Sequence, residues 1–108
     1  MADKMLGVDS DLDAAKVETN LAEYRKECLI LDVREEDEYL QGHIPGAVNI
    51  PLSALHSRLQ ELKKDQKILA ICLSGGRAGV AAKMLKDKGY RVRIMSGGMR
   101  SWKGAVEK

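Results

Sequence analysis

The sequence predicts one α/β domain with a mainly parallel sheet, and three observations carry the prediction. Short apolar runs alternate with segments of helical periodicity along the chain, the order that parallel strands and their crossovers produce. Two of the runs, Cys28–Val33 and Lys67–Cys72, are apolar almost throughout rather than at every second residue, as strands covered on both faces are. The chain of 108 residues has room for one core, because a domain of this size buries only about two thirds of the surface its unfolded form exposes.

The elements follow in order. Residues 1–10 are expected to be a poorly ordered start to a single domain spanning 1–108. Up to residue 27 two readings stand: Val17, Leu21 and Tyr24 have helical spacing, and the beginning of the segment would serve equally as a small edge strand. Cys28–Val33 is the first strong strand. Glu35–Gln41 reads as a short acidic helix ended by Gly42, and Ala47–Ile50 as a strand stopped by Pro51. Ser53 is placed as the N-cap of a helix that carries Leu59 and Leu62 and runs to Lys64. After the Lys67–Cys72 strand, Arg77–Lys88 sets Val80, Ala81, Met84 and Leu85 at helical spacing and stops at Gly89, which suits a left-handed cap. Arg91–Met95 alternates and forms the last strand.

Composition excludes several function classes. Hydrophobic residues make up 44% of the chain, and 18 basic against 16 acidic side chains leave a formal charge of +2, so disorder is not expected. The surplus is too small for the basic face that nucleic acid requires, and no Phe, one Trp and three Tyr offer little surface for stacking bases. Ile68–Leu73, the longest nearly unbroken apolar stretch, is far short of the roughly 20 residues that span a bilayer. Met1–Asp13 has no apolar run of the signal-peptide kind. A cytoplasmic protein without membrane attachment is expected. Cys28 and Cys72 are too few for a disulfide framework and form no CxxC pair for structural zinc; no metal is expected, and any cysteine chemistry is that of free thiols.

Ligands of open parallel sheets bind beyond the carboxyl ends of the strands. Three unusual segments fall there: Asp32-Val33-Arg34, Cys72-Leu73-Ser74-Gly75-Gly76-Arg77-Ala78-Gly79, and Ser96-Gly97-Gly98. In the second, a cysteine ends a buried strand, a glycine-rich turn follows and a helix begins at once. Backbone N–H groups from Leu73 to Ala78 can turn inward there, beside the free donors and partial positive charge of the helix N-terminus. Gly75 and Gly76 permit the tight backbone, and Arg77 adds a permanent charge. A thiolate at Cys72 is favoured in such a bowl and is expected below the usual thiol range, as a nucleophile near neutrality. The competing reading is an inert small hydrophobe at the end of a buried strand, or a turn that holds phosphate without cysteine chemistry. The segment lacks GxxxxGK[ST] and GxGxxG, so nucleotide binding is the weaker reading.

Taken together, Asp32-Val33-Arg34, Glu38-Tyr39, the run Gly42 to Pro51, the Cys72–Ala78 loop, and Gly97-Gly98-Met99 with Trp102 resemble a single-domain rhodanese in order and spacing from about residue 28 to 104. The resemblance implies the rhodanese-like three-layer α/β/α fold and sulfurtransferase chemistry. It makes Cys72 the nucleophile that accepts a sulfane sulfur as a persulfide, and the backbone of Leu73, Ser74, Gly75, Gly76, Arg77 and Ala78 the substrate cradle. It assigns Asp32 and Arg34 to support of the loop through hydrogen bonds and an ion pair that involves Glu38. Arg77 either binds the substrate anion or ties the loop to an acidic neighbour. Four residues separate Cys72 from Arg77, one fewer than in the phosphatases that resemble this family, which favours sulfur over phosphate.

The implied substrates are thiosulfate or a persulfide as donor, a protein persulfide among them, and a thiol or cyanide as acceptor. No cofactor is implied, and the protein is expected to be a monomer or weak dimer. Gly76 and Ala78 stand where relatives often carry a lysine or other polar residue and a serine, so a protein or small-thiol persulfide rivals free thiosulfate as donor. The alternatives are a non-catalytic module of the same fold that binds a protein or senses oxidants, and a small-anion binding protein. His43 is expected as a turn histidine bonded to backbone, His56 on a helix surface, Trp102 packing a terminal helix on the sheet, and Met84, Met95 and Met99 as core or edge filler. Parallel neighbours would hold Cys28 roughly 15 Å from Cys72, beyond the reach of a disulfide, so Cys28 is expected in the core.

Overall fold

The computed structural model describes residues 11–74 and 76–108; the expectation of a poorly ordered start over 1–10 lies outside them. The elements are β1 (Leu12–Asp13), α1 (Ala14–Thr19), α2 (Leu21–Glu27), β2 (Cys28–Asp32), α3 (Glu36–Leu40), β3 (Val48–Asn49), α4 (Leu52–Leu55), a 3-10 turn (His56–Glu61), β4 (Lys67–Ile71), α5 (Gly76–Asp87), β5 (Arg91–Ser96) and a second 3-10 turn (Gly98–Ser101). Among the described residues the strands form one five-stranded sheet in the order β1-β5-β4-β2-β3, and every pairing is parallel. The predicted α/β class holds. Both readings of the first segment are realised, the edge strand as β1 and the helical spacing as α1 and α2.

Alternation along the central strands sorts the core onto two faces. Leu31, Val33, Ile68, Ala70, Cys72 and Val92 face α4 and α5, where Leu55, Ala78, Ala81, Ala82 and Leu85 close over them. Ile30, Leu69, Ile71 and Met95 face Ala14, Val17 and Tyr24 of α1 and α2. Met99 packs against this second cluster and Met84 against the first, as expected; Trp102 also packs against the second, but it follows a four-residue 3-10 turn rather than sitting on a terminal helix. Each fully buried Leu or Ile contributes about 1.5–3 kcal/mol, which is why β2 and β4, apolar on both faces, sit at the centre of the sheet. Among the described residues no helix is long and apolar enough to cross a membrane.

Two local expectations need correction. Ser53 is not an N-cap: the helix starts at Leu52 behind Pro51 and lasts only to Leu55. It then tightens into the 3-10 turn, where Arg58 leaves helical geometry at φ −116° and ψ 17°. Ser53 Oγ instead donates to Glu35 Oε2 at 3.3 Å. The segment ends early because the Tyr90 hydroxyl donates to the carbonyls of Leu59 and Leu62 at 3.2 and 3.0 Å, a tertiary bond that replaces a further helical turn. The second correction concerns strand ends: β2 stops at Asp32, β3 spans only Val48–Asn49, and β4 stops at Ile71, where the Cys72 carbonyl leaves the ladder for another partner.

Helix α5 carries the long helical pattern and ends as predicted at Gly89, whose φ is +95°; the Tyr90 N–H reaches back to the Leu85 carbonyl at 3.0 Å, closing the helix end. One residue in this helix is unexplained by the fold. Gly79 has ordinary helical backbone, and a Cβ placed on it would meet nothing within 4 Å. Glycine inside a helix costs about 0.5–1 kcal/mol relative to alanine. Gly79→Ala is therefore expected to stabilise the protein by that amount, read as a higher midpoint in thermal unfolding.

Candidate functional site

The site lies at the carboxyl ends of β2, β4 and β5. Register pairs Asp32 of β2 with Ile71 of β4, so Asp32-Val33-Arg34 runs beside the point where the chain leaves β4 at Cys72. Cys72 is 1% exposed and packs in the cluster of α4 and α5. Beyond it Leu73 is half-buried, Ser74 and Gly76 are exposed, Arg77 is half-buried and Ala78 is fully buried under the helix. Gly75 lies outside the described residues. The N–H groups of Gly76, Arg77 and Ala78 open α5, at the turn where a helix has no internal acceptors for its donors. Cys72 thus lies four residues before the start of α5 and packs in one cluster with its Ala78.

The third unusual segment clamps this loop from the side. After β5 the chain turns through Gly97 and Gly98 into the second 3-10 turn. The Met99 N–H donates to the Cys72 carbonyl at 2.7 Å and the Arg100 N–H to the Leu73 carbonyl at 2.8 Å. Gly98, at φ +59°, allows that approach: a Cβ there would overlap the carbonyl oxygens of Cys72 and Leu73. The sequence singled out this segment by its position and as part of the family resemblance, without showing the carbonyls it holds.

Arg77 takes the second of its two expected roles and ties the loop to an acidic neighbour. Its guanidinium donates to both carboxylate oxygens of Glu38, Nη1 to Oε1 at 2.7 Å and Nη2 to Oε2 at 2.9 Å, tying the start of α5 to α3. Glu38 is itself fixed by a capping box, its Oε1 accepting from the Glu35 N–H at 3.0 Å. These hydrogen bonds, those of Arg77 first, hold the Glu38 carboxyl at about 2, well below its ordinary 4.5. The same hydrogen bonds raise Arg77, and Cys72 adds a smaller electrostatic contribution to it.

The pair carries a pH prediction. With the folded pKa below the unfolded one, its stabilisation is complete above pH 4.5 and is lost as the pH falls toward about 2. Both side chains are about a third exposed, at 34% and 30%, so the contribution is discounted to about 1 kcal/mol. Glu38→Gln is expected to lower stability by that amount at pH 7, with the difference from the native chain closing in denaturant titrations as the pH approaches 2.

Asp32 and Arg34 form an ion pair of their own. The Asp32 carboxylate accepts from the Arg34 backbone N–H at 3.0 Å and from its Nη2 at 2.7 Å, and the second charge of the pair extends to the Gly42 carbonyl at 2.9 Å. Both residues are buried, 0% and 5% exposed, and charge compensation inside the turn makes that tolerable. Glu38 belongs to Arg77 rather than to this pair. Sequence reasoning missed Asn49, whose amide donates to the backbone carbonyls of Asp32 and Arg34 at 2.9 Å each; an Asn one residue before the end of the Ala47–Ile50 run was its signal. Asp32, Arg34 and Asn49 thus stiffen the β2–α3 turn, and Glu38 connects that turn to the cysteine loop.

Other singled-out residues stand apart from the loop. His43 stacks on Tyr39 with ring centroids 3.7 Å apart, its Nδ1 bonds the Tyr39 carbonyl at 2.9 Å, and its backbone bridges Glu107. His56 is exposed at the end of α4. Cys28 begins β2 opposite Lys67, at the far end of the strands from Cys72. It also faces the α1 and α2 side while Cys72 faces α5. Burial, with Glu27 next, pushes the Cys28 thiol above its ordinary range. The two thiols belong to different faces and different ends of the sheet.

The fold and site define a parallel α/β protein whose cysteine stands at the foot of a strand-to-helix loop braced by an Arg–Glu fork. The chain belongs to the rhodanese family: the model of the rhodanese-like domain matches residues 13–105. It is 46% identical over 79 residues to the "Putative sulfur carrier protein YrkF" of Bacillus subtilis, covering 72% of this chain and 43% of that protein. The chain thus spans less than half the length of that relative. It is 32% identical over 94 residues to a sulfurtransferase of Allochromatium vinosum, covering 86% of this chain and 87% of that protein. Among solved structures, a rhodanese-related protein of Thermoplasma volcanium superposes with a TM-score of 0.81 at 32% identity, over 91% of this chain and 97% of that one. This is a sulfur-transfer family, and the three-layer fold expected from the sequence is the fold found.

Proposed function

We propose that the protein is a sulfurtransferase that carries a sulfane sulfur on Cys72 as a persulfide. The observation that carries this reading is Cys72 at the carboxyl end of β4, packed in one cluster with Ala78 of α5, with its own carbonyl and that of Leu73 pinned by Met99 and Arg100. In the first half-reaction the Cys72 thiolate attacks the outer sulfur of thiosulfate. The S–S bond of the donor breaks, sulfite leaves with the electron pair, and the Cys72 persulfide anion remains. A small or protein persulfide serves as donor in the same way, releasing its thiolate. In the second half-reaction cyanide or a thiol attacks the outer sulfur, the Cys72 thiolate is the leaving group, and thiocyanate or a new persulfide departs.

The loop's role is electrostatic. N–H groups at the start of α5, with the backbone of Leu73, Ser74, Gly75, Gly76, Arg77 and Ala78 as the cradle, stabilise the thiolate, the persulfide anion and the anionic end of the donor. Arg77 works by holding the cradle through Glu38, and Asp32 and Arg34 hold the turn beneath it. No step calls for a cofactor. The reaction suits a reducing, cytoplasmic setting in which both cysteines are thiols.

The test is steady-state thiocyanate formation from cyanide, with thiosulfate and separately a small alkyl persulfide as donor. Turnover with at least one donor, unchanged in Cys28→Ser, is the expected result. No turnover with either donor, in protein whose Cys72 thiol is reduced and alkylates, would overturn the reading in favour of a module that binds without transferring sulfur.

A further inference from the structure

Thiosulfate is a dianion, so its recognition calls for a cation at the loop. Two arginines of the site are already committed. Arg77 donates from both terminal nitrogens to Glu38, and Arg34 is buried against Asp32 and the Gly42 carbonyl. Gly76 and Ala78 bring no polar side chain to the cradle. The first turn of α3, tied to the loop through Glu38, adds Glu36 and Asp37, whose charges oppose an approaching anion.

Arg100 is placed differently. Its backbone N–H donates to the Leu73 carbonyl at 2.8 Å, one residue past Cys72, so its side chain is rooted against the loop itself. The turn around it is fixed on both sides. The Met99 N–H holds the Cys72 carbonyl at 2.7 Å, the Trp102 N–H returns to the Met99 carbonyl at 3.1 Å, and Trp102 packs on the core. The Arg100 side chain takes no part in these bonds. It is exposed, and among the described residues its guanidinium has neither a hydrogen bond nor a carboxylate within ion-pair distance. Exposed arginines are ordinary on a surface; this one is anchored by its own peptide to the residue after the nucleophile.

We infer that Arg100 binds the sulfonate of thiosulfate and makes the site selective for an anionic sulfur donor. This rests on the persulfide reading above and adds what recognises the donor. A long stem carries the guanidinium from the Leu73 carbonyl over the loop, and its planar fork matches two oxygens of a sulfonate. With the sulfonate held there, the outer sulfur of thiosulfate meets Cys72. The thiolate forms a bond to that sulfur, the S–S bond of thiosulfate breaks, and sulfite leaves with the electron pair. The fork that binds the sulfonate also holds the departing sulfite, so Arg100 acts on binding and release and not on the sulfur transferred.

The test compares thiosulfate with an uncharged alkyl persulfide as donor to cyanide, in the native chain and three variants. Arg100→Gln is expected to lower the ratio of kcat/KM for thiosulfate to that for the persulfide about tenfold, mostly through the thiosulfate KM. Arg100→Lys keeps the charge and is expected to stay within about threefold of the native ratio. Lys103→Gln removes the same charge from a residue whose backbone makes no bond to the loop, and its ratio is expected within about twofold of the native one. An unchanged ratio in Arg100→Gln, or an equal fall in Lys103→Gln, overturns the inference while turnover of the persulfide keeps the sulfurtransferase reading.

A second measurement needs no turnover. In a Cys28→Ser background, Cys72 is alkylated by iodoacetate, an anion, and by iodoacetamide, which is neutral. The ratio of the two rates cancels any change in the thiolate fraction. Arg100→Gln is expected to lower that ratio about fivefold at low salt, with the gap narrowing as salt is raised. A ratio within about twofold of the native one overturns the inference whether or not either donor is turned over.

Discussion

Cys72→Ser is expected to lower thiocyanate formation by at least roughly 10³-fold, with the fold intact by circular dichroism. A serine hydroxyl is almost entirely protonated at neutral pH and cannot form the S–S bond that holds the transferred sulfur, so the remaining cradle has nothing to carry. The structural effect is small because the two side chains have nearly the same shape. Cys72 is buried among Ala70, Ala78 and Val33, and placing a hydroxyl there costs about 1–2 kcal/mol. Stability and activity should therefore separate cleanly in this variant. Full turnover in Cys72→Ser would remove the central residue from the account.

Gly98→Ala should have the largest effect on both properties together. At φ +59° a side chain pays about 1–2 kcal/mol for left-handed backbone alone. The added Cβ also overlaps the carbonyls of Cys72 and Leu73, so the 3-10 turn must retreat and loosen the bonds that Met99 and Arg100 make to those carbonyls. A loss of about 2–4 kcal/mol is expected, lowering the unfolding midpoint by roughly 10 °C or more. Because the pinned carbonyls fix the cysteine's own peptide, turnover should fall even at temperatures where the variant is fully folded. A variant that keeps native turnover would show that the clamp serves stability alone.

What the sequence made legible follows from how local each signal is. β2 and β4 were readable because strands covered on both faces are apolar on both, and the end of α5 because Gly89 follows the last residue of the apolar stripe. The start of the site was readable for the same reason: Cys72 closes an apolar run and glycines follow it. Long-range bonds were not readable in the same way. Arg77 left two roles open because its partner Glu38 lies 39 positions away, and only the fold brings α3 to the mouth of α5. Ser53 looked like a cap because serine before an amphipathic stretch usually is one. Tyr90, 31 positions from Leu59, ends that stretch by a bond no local pattern encodes. Gly98 stood out as a glycine, but the carbonyls that require it to be one belong to another strand's end.

The most direct test of sulfur carriage at Cys72 is intact mass spectrometry of the reduced protein after brief incubation with thiosulfate, and separately with a small persulfide. The account predicts a gain of one sulfur atom that cyanide reverses, that persists in Cys28→Ser and that is absent in Cys72→Ser. A gain that survives in Cys72→Ser, or no gain from either donor while Cys72 is reduced and open to alkylation, would contradict it.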